Sequence, residues 1–184
     1  MHASLWLALL TGVGVAAAAG LRAFLPLLAI GIAGRVGWIG LNPGAEWLAS
    51  DPALICFGVA TVLEILGDKI PVVDHALDLV GTVLRPAAAW LGAYAVLIHW
   101  PTPWGQIAAL LLGGGALALH ALKAKLRLGS TALTLGHANP LLSFAEDATA
   151  MILLVAAVLA PVLALILVAL LVGGIRARRR RAAA

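Results

Sequence analysis

The sequence predicts an all-α, polytopic integral membrane protein with about five to six membrane segments, some of them broken or re-entrant half-helices. Three observations predict it. Of the 184 residues, 63% are hydrophobic and 11% charged, against roughly 45–50% and about 25% in soluble domains. The excess lies in long runs of Leu, Ala, Val and Ile, and the mean hydropathy is +1.08. Clusters of Gly, Pro and Trp interrupt these runs. A spanning helix needs about 20 apolar residues, so the chain has room for roughly six passes at most.

The elements follow in order. Residues 4–19 form a first apolar helix, interrupted at Gly20-Leu21-Arg22 and followed by Pro26. The apolar pattern then resumes to about Ala33, as a half-helix or re-entrant piece. No basic residue precedes the first run, so it reads as a membrane element and not as a cleaved signal peptide. Residues 34–52 form a non-spanning connection, with Gly34, Gly37, Gly40, Pro43 and Gly44 breaking helix and Trp38 and Trp47 suited to headgroup level. Residues 53–67 are apolar but short and carry Glu64. A second helical stretch, 71–84, is expected to stop at Arg85-Pro86, with another short helix over 87–99. Trp100-Pro101-Thr102-Pro103-Trp104 reads as an interfacial turn. A clear span follows over 105–122, with Gly113-Gly114-Gly115 offering close backbone approach. Residues 130–139 form a polar break. From Pro140 to about Ile175 the chain is one apolar run, expected to kink at Pro161.

Residues 1–175 thus form a single transmembrane domain, and 176–184 a basic tail. Arg176, Arg178, Arg179, Arg180 and Arg181 directly follow the last run. That cluster predicts a cytoplasmic C-terminus at the inner (plasma) membrane of a bacterium, with anionic lipids as its partner. It does not point to nucleic acid. Lys123, Lys125 and Arg127 also favour the cytoplasmic side, which conflicts with a single crossing between them and the tail. The one cysteine, Cys56, excludes a disulfide framework within the chain. A homo-oligomer is compatible with this reading.

A weak internal repeat links two stretches, around 58–80 and 127–149. Leu66-Gly67…Pro71…Asp78 lies over Leu135-Gly136…Pro140…Asp147 at an offset of 69 residues. Helix breaks are expected at 67–71 and 135–140, each followed by a helix starting near its proline. Asp78 and Asp147 would then sit two turns into their helices at equal depth, facing the interior. Paired, interrupted segments of this kind, inverted with respect to one another, mark transporter sites.

Gly20-Leu21-Arg22-Ala23-Phe24-Leu25-Pro26, the Glu64…Asp68-Lys69-Ile70-Pro71…Asp74…Asp78 stretch, Arg85-Pro86 and Asn139-Pro140…Glu146-Asp147 together resemble the small bacterial membrane-protein family catalogued as domain of unknown function number 4126. The resemblance covers nearly the whole chain. It implies a multi-span membrane domain and no established activity.

Function must therefore be argued from intramembrane charge, which costs about 2.5–3.5 kcal/mol per residue on insertion scales. The candidate substrate- or ion-binding residues are Arg22, Glu64, Asp68, Lys69, Asp74, Asp78, Arg85, Asn139, Glu146 and Asp147. Asp74, Asp78 and Arg85 share a helix face. Arg22, Lys69 and Arg85 stand against six carboxylates, an acidic excess unless Lys123, Lys125 or Arg127 face inward. The bland alternative is an internal salt-bridge network. His75 adjoins the carboxylates as a candidate proton relay. These residues favour transport or permeation of a small solute or ion, with a cation or proton preferred. The alternatives are a membrane scaffold or assembly factor and, with less support, a metal-dependent lipid-processing enzyme. No catalytic set and no cofactor is expected; the spacing reproduces no phosphate loop and no paired Asp-rich motif of the membrane transferases, and the metal question stays open.

Overall fold

A computed structural model describes residues 2–135 and 137–159, with side chains described from Leu5 onward except at positions 71, 72, 74 and 75. The side chains of Asp74 and His75, the break residue Gly136, the Pro161 kink and the 176–184 tail lie outside the described residues.

Within them the chain is helical. Helix α1 spans His2–Leu21 and α2 spans Phe24–Arg35, so the helix breaks at Arg22-Ala23, as the sequence predicts. Beyond α2 the chain turns through Gly37, whose φ of +76° is left-handed backbone that favours glycine. A short 3-10 helix, Pro43–Ala49, follows. Helix α3, Asp51–Gly67, starts at Ser50, whose side chain accepts from the Ala53 amide at 3.4 Å. The 3-10 helix and α3 meet at 66°. Helix α4 spans Pro71–Val96, α5 spans Trp104–Thr134, and α6 runs through Asn139–Leu159.

Both predicted breaks are present among the described residues, at 68–70 and at Leu135 with 137–138, and Pro71 and Pro140 each lie in the first turn of the next helix. The expected stop at Arg85-Pro86 is not. Helix α4 runs through Pro86, because packing against α1 and α5 outweighs the one backbone bond that proline removes. Two predicted short helices are therefore one long one. Helix α5 likewise continues well past residue 122, and the polar stretch from Ser130 to Thr134 belongs to it. These mergers reduce the span count. Among the described residues three helices are long and apolar enough to cross a bilayer, or four if the bent pair at Pro43–Gly67 is one span, instead of five to six. Leu5–Leu21 and Phe24–Arg35 are shorter apolar helices.

The centre is the trio α1, α4 and α5, with α2 lying against α3. Its core is built from small residues: Val15, Ala16, Ala19, Ala88, Ala89 and Ala116 are all buried. Small side chains let backbones approach, which is how helices gain packing energy where lipid competes for apolar surface. A Cβ on Gly20 would lie 2.9 Å from the Ala116 carbonyl, and one on Gly113 at 2.9 Å from the Pro86 carbonyl. Many large apolar residues point outward instead; Leu63, Leu110, Leu111 and Ile152 are exposed. Such an exterior suits lipid, not water.

Candidate functional site

Charge is turned inward. The α1–α2 break supplies the first residue, Arg22, whose side chain is fully buried. The break frees the first amides of α2, and Glu64 from α3 receives them: its carboxylate accepts from the Ala23 amide at 2.9 Å and the Phe24 amide at 3.3 Å. A carboxylate at a helix N-terminus satisfies both the orphan donors and the positive end of the dipole. Glu64 thus holds the broken helix in place.

Asp68, in the break after α3, is the hub. One of its oxygens meets Arg22 in a short ion pair, Arg127 at 3.1 Å and Lys123 at 3.4 Å. Glu146 on α6 takes the same two α5 cations, Lys123 at 3.1 Å and Arg127 at 2.5 Å. Arg22 reaches on to Asp147 at 2.7 Å and donates to Ser143 at 3.1 Å. Lys69 lies 3.6 Å from Asp147, over the Phe144 ring. On the other side of Glu64 stands Arg85, 3.7 Å from its carboxylate and 3.8 Å from that of Asp78. Asn139 donates to Thr131 at 2.9 Å. It shares with Asp78, Arg127 and Thr131 a cavity of about 230 Å³. A larger groove of about 410 Å³ between α2 and α6 is lined by apolar residues.

Eight of the ten candidate residues therefore form one network, Asn139 borders it, and the Asp74 side chain lies outside the described residues. The expected acidic excess is absent among the described side chains. Arg22, Lys69, Arg85, Lys123 and Arg127 face Glu64, Asp68, Asp78, Glu146 and Asp147, because Lys123 and Arg127 turn inward while Lys125 is exposed. From the sequence these cations are only a reserve, and His120 reads as an interfacial or packed residue with no part in the site. The signal was there: His120, Lys123 and Arg127 are spaced by three and four on one face of α5. Among the described residues no group of three or more His, Cys, Asp or Glu is arranged to hold a metal ion.

Asp78 and Asp147 do sit alike. Their side chains are 20% and 22% exposed, and each faces an arginine. Several polar atoms in the network lack a hydrogen-bond partner, among them one oxygen each of Asp68, Asp78 and Asn139.

An apolar exterior around a charged interior, with helices broken beside the charges, is the make-up of a membrane-embedded helical protein. The chain belongs to the family described as domain of unknown function (DUF4126), whose profile matches residues 9–180. No curated protein and no solved structure matches it.

Proposed function

We propose that this chain is a multi-pass protein of the bacterial inner membrane, with its C-terminus in the cytoplasm, and that it moves a small solute or ion through its charged core. One observation carries the reading: ten ionisable side chains, five basic and five acidic, are gathered beside the breaks in apolar helices. Apolar residues could pack the same volume without the desolvation cost, so retained buried charge favours function. Broken helices beside such charge are the transporter pattern, and the proline-led segments after each break fit a repeated unit. The balance of charge sharpens the chemistry. A cation or proton entering this site must take a carboxylate from a resident arginine or lysine, so transport is an exchange of partners. The arginine tail holds anionic headgroups on the cytoplasmic side.

The test is purified protein in sealed vesicles with an imposed potential and an internal pH- or cation-sensitive dye. Proton or monovalent-cation flux well above that of empty vesicles is expected, falling at least tenfold in correctly folded Asp147→Asn. Near one-to-one ion pairing favours a second reading, a membrane scaffold or assembly factor. On that reading, vesicles holding the protein are as tight as empty ones to protons, sodium and potassium.

A further inference from the structure

His120 on α5 is 3% exposed, and both ring nitrogens are engaged. Arg85 Nη1 lies 2.9 Å from Nδ1. A guanidinium has no acceptor, so Nδ1 must accept and the ring proton must sit on Nε2. Nε2 in turn donates to the Asp78 carbonyl at 3.0 Å. The contacts thus specify a neutral imidazole of one tautomer, with its one basic lone pair covered by an arginine. Gly81 makes room for the pair: a Cβ there would lie 3.0 Å from Arg85 Nε and 3.4 Å from the imidazole Cε1.

Arg85 has somewhere else to go. Its contacts with Glu64 and Asp78, at 3.7 and 3.8 Å, are close to 1 Å longer than the charge-assisted bonds of roughly 2.7–2.9 Å that such groups form. Its Nη1 also reaches the Gly20 carbonyl at 3.4 Å, at the end of α1 beside the break. Facing the imidazole are Arg85 and Asp78 from α4 and Lys123 from its own helix; α3 brings Glu64 to the far side of Arg85, and α1 presents the Gly20 carbonyl.

We propose that His120 is a proton-binding site that controls Arg85. A proton arriving at Nδ1 takes the lone pair that Arg85 uses. The two cations separate, Arg85 closes on Glu64 and Asp78, and its hold on Gly20 at the α1–α2 break is released. The device stands on this geometry and does not depend on the transport reading; a protein that fails the vesicle test can still pass this one.

Ring nitrogen spectra of histidine-labelled protein in lipid nanodiscs test it, with the His120 signals assigned by their loss in His120→Gln. At pH 7.5 the expected ring is the Nε2–H tautomer with a hydrogen-bonded Nδ1. On acidification to pH 5 it becomes imidazolium, and the Arg85 side-chain signals shift with it. In His120→Gln the Arg85 signals stay constant across that range. Arg85→Gln, which removes the competing cation, must free Nδ1 at pH 7.5 and change its shift. An Nδ1–H tautomer, a ring still neutral at pH 5, or Arg85 signals that titrate equally without His120 would each overturn the proposal.

Discussion

The two helix breaks share a sequence pattern but not a chemistry. At the α3–α4 break the chain buries its polar residue: Asp68 is 3% exposed and carries three cations. At the α5–α6 break the residue at the matching place, 69 positions on, is the exposed His137. Its ring nitrogen lies 2.8 Å from the Thr134 carbonyl just before it. The first break is met by Arg22 from the α1–α2 break and by Lys123 and Arg127 from α5, all three on Asp68; the second ends in open surface, with Leu135 85% exposed. A proline and a carboxylate two turns later start the next helix in both places, yet burial of the break decides which one becomes a hub.

The largest effect should separate Asp68 from His137. Asp68→Ala leaves Arg22, Lys123 and Arg127 partly uncompensated in a buried place, and should cost about 3–5 kcal/mol. His137→Ala should stay within about 0.5 kcal/mol. Unfolding of both variants in the same detergent micelles checks this, and equal losses would break the comparison.

A finer contrast is expected between the matched carboxylates. Asp147 meets Arg22 at 2.7 Å, whereas Asp78 is 3.8 Å from Arg85. Double-mutant cycles should give a coupling of about 1.5–3 kcal/mol for Arg22 with Asp147, and under about 1 kcal/mol for Arg85 with Asp78. A larger coupling in the second pair would reverse the order drawn from the distances.

Smaller still is the effect of crowding the first break. A Cβ on Gly67 would lie 2.7 Å from the Leu77 side chain and 3.0 Å from that of Val73. Because the nearer atom is the movable end of Leu77, Gly67→Ala should cost about 1 kcal/mol, the low end for overpacking. Gly114, with open space around it, should gain a few tenths of a kcal/mol from the same change, roughly the helix-propensity difference discounted for lipid. Thermal midpoints of the two variants, measured side by side, give the sign.

A similarly small change belongs to the second break. Leu135 has φ +53°, left-handed backbone that disfavours a Cβ. Leu135→Gly should stabilise by about 0.5 kcal/mol, strain relief slightly exceeding the entropy that glycine adds to the unfolded chain. A measurable loss of stability would mean that the Leu135 side chain holds the turn.

Much of the backbone was legible. The break at Arg22 follows from Gly20 and Pro26, the turn before Trp104 from its two prolines, and the two later breaks from Pro71 and Pro140. Pro86 misled, because a local rule says that proline ends a helix and only the neighbours α1 and α5 say that this helix is held regardless. Lys123 and Arg127 misled in the other direction. After an apolar run, cations read as an interfacial flank, and their inward turn depends on the acids brought to them by α3 and α6.

By itself the sequence determined that this chain belongs in lipid, where it breaks, and that its charges fall beside the breaks. Those are properties of composition and of local backbone chemistry, which proline, glycine and apolar run length set without reference to distant residues. Tertiary structure alone decided that the described charges of the network balance, that Glu64 holds the broken helix, and that His120 shares its lone pair with Arg85. Each of these depends on groups far apart in sequence, from Arg22 to Asp147, meeting within a few ångströms. No local pattern encodes such a meeting, because the pairing energy exists only after the helices have packed.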